Sequence, residues 1–403
     1  MKISAKDRKM YLERALKAAD WYVNSQLGDY RPRWNADRGR FLYYYFMPEG
    51  RHVPGINWTE GRGLFVTCEA YKLTGDEKYR RAAELAVRYV AALQVMDPRY
   101  RQILGAIKEH TPQDEIGGAL DGAQAASGLL MYAKVTGDKD ALRGGRAFCD
   151  FIERHFSARR GMPVAAVMYP KEQVTFAVEG GFDAERKFDC IRQATAIPLW
   201  HLCRRTREKK YLRVVLYAAD FILDCQRADG GMQDTTDISA APPPPANHHD
   251  GRGEGDDRYL LRNDDAIMVV VLGAYLATKD RKYLDAAVAY ADWTVANEPH
   301  DRPLCGFPVQ ANNVLDAGTV AGKDYTPWVL DHLQKHLLDL QVIGSNDRRA
   351  EGGFRGEDEE NEGGIFGGTS LDYVTNRMTC YSAGTLFRLS GKGTGAGFSP
   401  FGL

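Results

Sequence analysis

The chain has 403 residues, 44% hydrophobic and 27% charged, a balance that can bury a large core and excludes disorder as its main state. Its 53 lysines and arginines against 54 aspartates and glutamates leave a net charge of −1, so no global pull toward nucleic-acid phosphates or anionic lipid is built in. The basic start MKISAKDRKM runs into an amphipathic helix with no apolar signal core, no long apolar run follows, and the seven cysteines form no CxxC pair. A soluble, cytoplasmic protein without a disulfide framework is expected.

In chain order, AADWYVNSQ ends a first amphipathic helix, and its Asp20-Trp21 pair recurs as Asp150-Phe151, Asp220-Phe221 and Asp292-Trp293, with Arg88-Tyr89 in the remaining slot. Successive marks are 62 to 72 residues apart, which is an internal repeat. In phase with it run four short polar turns: TGDEKY (74–79), TGDKDAL (136–142), TREKKYL (206–212) and TKDRKYL (278–284). Each is too short for anything but a tight helix–helix connection. After the first turn, Tyr79, Ala82, Ala83, Ala86, Val87, Val90 and Leu93 recur at helical spacing opposite Lys78, Arg81, Glu84 and Arg88, which makes a helix with one wet face. Before the turns, segments 63–73, 122–133, 194–202 and 265–277 are apolar or small nearly all round, which makes helices buried on every side.

Outer amphipathic helices therefore alternate with inner buried ones. The connection from an outer helix to the next inner one is always long (28–57, 97–118, 158–188, 228–261, 298–324 and 344–371), so the long loops share one face. Inner helices are predicted at 58–74, 119–136, 189–206, 263–278, 325–343 and 372–390. Six of them close an all-α (α/α)6 toroid, a single domain over 1–403. Segment 344–371 is rich in Gly, Asp and Glu and supplies no sixth outer helix. An open α-solenoid or two helical subdomains are the alternatives.

In such a ring the long loops and the inner-helix N-termini form one mouth, where helix dipoles and free amides meet polar side chains. The residues that fall there are Asn57, Trp58, Glu60 and Arg62; Asp121 and Gln124; Asp189, Arg192 and Gln193; Asn263, Asp264 and Asp265; Tyr325 and Trp328; and Asp372, Tyr373, Asn376 and Arg377. Aromatic rings stack on the apolar face of a sugar, carboxylates move protons, and arginine forks hold an acidic substituent. An oligosaccharide carrying a uronic acid is the expected partner. The plainer readings stand beside this one: the aspartates fit as helix N-caps, Glu60 and Arg62 as a surface pair, and Trp58 with the Tyr43-Tyr44-Tyr45 run as loop packing.

The segments WTEGRGLFVTCEAYKLTGDEKYRRAAE (58–84), LDGAQAASGLLMYAKVTGD (120–138), FDCIRQATAIPLWHL (188–202) and RNDDAIMVVVLGAYLATKDRKYLDAAVAYADW (262–293) resemble hairpins of the six-hairpin glycosidases. The likeness is to the unsaturated-uronyl hydrolases of glycoside hydrolase families 88 and 105, and more weakly to N-acylglucosamine 2-epimerases and α/α-toroid polysaccharide lyases. It departs from the first group at Leu120, where that family has histidine, at Ala123, where it has an aromatic residue, and in the third helix, which lacks Met-Asn. The resemblance implies Asp121 and Asp189 as the carboxylate pair, with Asp189 the proton donor and water activator. Glu60 and Asp264 are further candidate acids. Trp58, Arg62, Gln124, Arg192, Gln193, Asn263, Trp328, Tyr373 and Arg377 are candidates for holding substrate.

The insert PPPPANHHDGRGEGDDRYLL (242–261) reads as a stiff spacer followed by a polar loop; in a uronate lyase its Asn247, His248 and His249 would neutralise the carboxylate and supply a base. The acidic run 356–364 lacks EF-hand spacing, and GKGTGAG (391–397) follows a helix rather than a strand. No cofactor and no metal are expected. Neither nucleic acid nor a membrane is an expected partner, and the chain is expected to be a monomer or homodimer. A glycoside hydrolase is the leading expectation; a lyase or epimerase on the same barrel, and a non-catalytic sugar-binding scaffold, are the alternatives.

Overall fold

The computed structural model describes residues 3–28, 38–157, 161–167, 172–176, 187–232, 235–237, 267–297, 299, 306–356, 366–393 and 399–402, with the backbone alone at 164–165, 167, 187–192 and 235–237. Helices alternate between two concentric layers. The outer layer holds α1 (Ala5–Ser25), α3 (Glu77–Leu93), α5 (Lys139–His155), α7 (Lys209–Asp224), α9 (Arg281–Val295) and α11 (Thr326–His336). The inner layer holds α2 (Asn57–Thr74), α4 (Ala119–Thr136), α6 (Ile197–Thr206), α8 (Ile267–Thr278), α10 (Gly306–Ala321) and α12 (Asn376–Ser390). Each inner helix packs on the next, and α12 returns to α2, so the ring closes and is not an open solenoid. The fold is the expected (α/α)6 toroid. Among the described residues no helix is long and apolar enough to cross a membrane.

Two assignments read from the sequence change. The fifth inner helix is α10, not 325–343: Gln310, Asn312, Asn313 and Asp316 are buried along with its apolar residues, and those polar side chains disguise it in the sequence. Segment 326–336 buries only Val329, Leu333 and His336, the single stripe of an outer helix. The missing sixth outer helix is supplied by the N-terminus, because α1 packs along α12. A third difference is local. The third inner helix starts at Ile197, after a 3-10 helix over Cys190–Ala196, and Pro198 sits in its first turn, where a missing N–H costs nothing.

The repeated mark has a physical meaning in this ring. The tyrosine hydroxyl at the start of one outer helix donates to the aspartate on the preceding one: Tyr79 to Asp20 (2.8 Å), Tyr211 to Asp150 (2.7 Å), Tyr283 to Asp220 (2.8 Å) and Tyr325 to Asp292 (2.8 Å). A lysine one residue before the tyrosine, or two before it at Tyr325, reaches the same carboxylate. A second device repeats after the outer helices. The amides of Gln26, Gln94, Gln226 and Gln341 each bridge to a backbone carbonyl of the neighbouring outer helix. Each is followed by a glycine at φ between 90° and 98° (Gly39, Gly105, Gly230 and Gly352), against which the next helix backbone leaves no room for a Cβ.

Among the described residues the long loops form three small antiparallel sheets that the helical periodicity did not announce. Strand β1 (Leu42–Phe46) lies between β2 (Arg51–Pro54) and β8 (Tyr373–Thr375), with Tyr44 opposite Thr375 and Phe46 opposite Tyr373. This sheet ties the loop before α2 to the entry of α12. Strands β3 (Ile116–Gly118), β4 (Pro163–Val167) and β5 (Gln173–Phe176) form the second sheet, and β6 (Lys187–Asp189) with β7 (Thr235–Asp237) the third.

Candidate active site

The first turn of α2 organises one side of the mouth. The Asn57 backbone N–H donates to the Glu109 carbonyl at 3.0 Å, and its side-chain amide donates to the Lys108 carbonyl at 3.1 Å. The loop that carries Glu109 is fixed at further points: Lys108 N–H donates to Leu93 O at 3.1 Å, the Tyr89 hydroxyl bonds His110 O, and the Asp114 carboxylate takes the Thr111 N–H and hydroxyl. Glu109 is thus presented by a loop locked to two helices. Its Oε1 accepts the N–H of Gly118, the residue just before α4.

Asp121 stands in the first turn of α4, half-buried. A Cβ placed on Gly118 would be 2.7 Å from Glu109 Oε1 and 3.3 Å from Asp121 Oδ2, so these two oxygens, measured from one point, are no more than about 6 Å apart. Burial and, second to it, the negative charge of Asp121 push the Glu109 carboxyl up to about 8. Glu109 Oε2 is buried and has no hydrogen-bond partner among the described residues. Glu109 was not among the expected site residues, because it lies in the middle of a loop, ten residues ahead of the start of α4 at Ala119. The one signal for it was the loop's place on the face shared by all the long connections.

Trp58 is 8% exposed, with the Tyr43 ring 5.1 Å away, the Arg62 guanidinium 4.2 Å from its centroid and that of Arg377 5.9 Å. The structure therefore brings Trp58 and Arg377 together at adjoining inner-helix starts, and Arg377 is the more accessible of the two arginines. Arg62 is 2% exposed and also lies over the Tyr381 ring at 4.9 Å, so it braces the aromatic cluster from within rather than clamping an anion at the surface.

Several expected residues turn out to be structural. Glu60 is fully buried: its Oε1 accepts the Phe41 N–H at 3.0 Å, tying α2 to the start of β1, and burial raises its carboxyl well above the ordinary range despite nearby Arg40. It is neither a mouth acid nor a surface partner of Arg62. Tyr373 is also fully buried, its hydroxyl donating to Gly367 O at 2.7 Å and its ring packed on Tyr44 and Phe46. Trp328 belongs to outer helix α11, against Phe307 and His332, because the segment expected to be inner is outer. Gln124 and Gln193 are buried on inner elements, at 5% and 1% exposure.

Asp189 closes β6, its backbone paired with Thr235, and Arg192 lies in the following 3-10 helix. The side chains of both fall outside the described residues, as do Asn263, Asp264, His248 and His249 altogether. Among the described residues no group of three or more His, Cys, Asp or Glu is placed to hold a metal ion. A cavity of about 570 Å³ opens at the opposite end of the ring, where Asp316 of α10 and Arg388 of α12 line it. It is separate from the mouth.

No protein-family model matches the chain, and no curated protein matches it in sequence. Solved structures do share its fold. Cellobiose 2-epimerase from Bacillus thermoamylovorans B4167 matches with a TM-score of 0.64 at 12% identity, over 93% of this chain and 98% of that one. An unsaturated glucuronyl hydrolase variant with dGlcA-Glc-Rha-Glc matches with a TM-score of 0.62 at 17% identity, over 94% of this chain and 96% of that one. An inactive variant of the α-1,6-mannanase GH76A of Salegentibacter sp. HEL1_6, in complex with α-1,6-mannotetrose, matches with a TM-score of 0.60 at 13% identity, over 95% and 98%. The shared property is the (α/α)6 barrel.

Proposed function

We propose that this chain is a carbohydrate-active enzyme, a glycoside hydrolase that removes a terminal unsaturated uronyl unit from an oligosaccharide. One observation carries the reading: a half-buried carboxyl, Asp121, opens inner helix α4 while a tryptophan with an accessible arginine beside it, Trp58 and Arg377, stands at the adjoining starts of α2 and α12. The Arg377 guanidinium suits a sugar's carboxylate, held in place by the buried Trp58 beside it, and the Asp121 carboxyl serves proton transfer. The barrel is one that sugar-active enzymes use, which supports the reading at the level of fold.

On this reading a proton is added to C4 of the C4–C5 double bond, the oxygen of water joins C5, and the proton that water releases returns to the carboxylate that gave one up; the C5 hemiketal so formed opens to a ketone, and the hemiacetal left at C1 collapses to an aldehyde, its C1–O bond breaking to release the rest of the oligosaccharide as an alcohol. Asp189 is the donor and water activator, Asp121 its support, and Asp264 a further acid. The test follows the ultraviolet absorbance of the conjugated uronate over intact and lyase-predigested acidic polysaccharides. A fall on predigested material that is lost in Asp121→Asn and Asp189→Asn supports the reading, and no change on any predigested substrate sinks it. A lyase or epimerase is the second reading. It needs a base, and His110 is exposed on the loop that carries Glu109. A rise in absorbance on intact polymer, lost in His110→Ala or in His248→Ala with His249→Ala, would establish the lyase.

A further inference from the structure

Asp121 does not stand alone at the mouth, and what faces it is another carboxyl. The Glu109 and Asp121 oxygens flank the same Gly118 backbone, and the N–H of that glycine is donated to Glu109 Oε1. The remaining oxygen, Glu109 Oε2, is buried with no hydrogen-bond partner among the described residues, which is where a carboxyl proton would reside. The other charged groups around it belong to its own loop. Asp114 is a third negative group, tied to Thr111 and His110 N–H; the Lys108 ammonium donates to Pro112 O; and His110 is exposed. From α4 the facing group is Asp121; from α2 it is Asn57, whose side-chain amide favours the ionised form but less than burial and Asp121 oppose it; and strand β4, which pairs with β3, carries no titratable side chain.

Two carboxylates this close in a half-buried site do not both ionise readily. We infer that Glu109 and Asp121 form a carboxyl pair that shares a single proton, Glu109 keeping it, so that the mouth presents one negative charge rather than two to an anionic sugar. Glu109 is then a positioning residue that acts through Asp121 and sets which substrates are admitted. Burial and the Asp121 charge, which push Glu109 up to about 8, place the loss of that proton just above neutral pH. Above it the doubled charge opposes a uronate carboxylate while leaving an uncharged sugar unaffected.

This rests on the sugar-binding reading of the mouth, and two measurements separate its fate from that reading. The first needs no substrate: carbon-13 NMR titration of the glutamate carboxyls of the full chain, with Glu109 assigned by its loss in Glu109→Gln. Glu109 is expected to titrate near 8 and to move back toward the ordinary carboxylate range in Asp121→Asn. A midpoint in the ordinary range, or one indifferent to Asp121→Asn, overturns the pair whatever the enzyme does. The second is kinetic. Between pH 7 and 9, KM for an anionic oligosaccharide is expected to rise at least about threefold with little change in kcat, and the rise to vanish in Glu109→Gln, which keeps the acceptor for Gly118 N–H. A KM rise that persists in Glu109→Gln overturns the charge-setting role. If no sugar is turned over at all, the function fails and the titration alone decides the pair.

Discussion

The carboxylates that hold the ring and those at its mouth solve the same burial problem in opposite ways. At the far end, fully buried Asp316 accepts Arg388 Nη2 at 2.7 Å and the Ser399 hydroxyl at 3.0 Å. Burial raises its carboxyl, the arginine pulls it back, and it settles at about 6. On the outside, Asp20, Asp150, Asp220 and Asp292 each take a tyrosine and a lysine. Glu109 goes to about 8: burial raises it most and the charge of Asp121 adds to that, with no arginine among the described residues to pull it back as Arg388 does for Asp316. Burial has the same sign in both places and the neighbour decides the rest.

The largest expected effect tests the far end. Arg388→Ala leaves Asp316 buried beside uncompensated space and is expected to cost about 3–5 kcal/mol in chemical denaturation at neutral pH. A loss under about 1 kcal/mol would mean the pair is not what holds α10 to α12. The mouth is expected to behave in the opposite sense. Glu109 has a folded value raised above its unfolded one, so its contribution is fully present below the ordinary carboxylate range and is lost as pH rises toward 8. Glu109→Gln carries no such loss. Its stability relative to the native chain should therefore climb between pH 5 and pH 8.5, by about 1–2 kcal/mol after solvent screening, in paired urea melts. A flat difference would remove the contrast between the two ends.

The layer order, the tight turns and the face of the long loops were legible because burial period and turn chemistry are local. What failed to show had a non-local cause. Helix α10 hides behind Gln310, Asn312, Asn313 and Asp316; of these, Asn312 and Asp316 are buried because Tyr381 O, Arg388 and Ser399 satisfy them across the ring. The Gln-to-Gly bridge escaped notice because glutamine and glycine are 13, 11, 4 and 11 residues apart, so no fixed spacing exposes the repeat. At the mouth, Asp121, Trp58 and Arg377 could be named from helix starts. Glu109 could not, since its partner is chosen by a loop that folds back on α2. Glu60 and Tyr373 were misread for the converse reason: an inner-helix start also meets the sheet formed by β2, β1 and β8, and a residue turned toward that sheet is buried.

The tyrosine–aspartate bonds give the next smaller effect. Tyr211→Phe removes one donor from Asp150 while Lys210 remains, and about 1 kcal/mol is expected from thermal or urea melts, with no change at the mouth. A loss of several kcal/mol would show that the junction organises the layer rather than merely joining it.

The smallest effect concerns the α3–α5 junction, which lacks the device. Between α3 and α5 the aspartate position is Arg88, the lysine position Asp140 and the tyrosine position Ala141, so both halves of the bond are missing at once. The two charged residues turn to their own helices instead, Arg88 to Glu84 and Asp140 to Arg143. Simultaneous loss is what a cross-helix pair predicts, since either half alone buries an unmatched group. Grafting Arg88→Asp, Asp140→Lys and Ala141→Tyr should recover a favourable coupling of about 0.5–1 kcal/mol in a mutant cycle, even though tyrosine replaces a 3% exposed alanine and each single change destabilises. Zero coupling would mean that α3 and α5 meet at a different offset from the other outer helices, and that the repeat is broken in geometry there as well as in sequence.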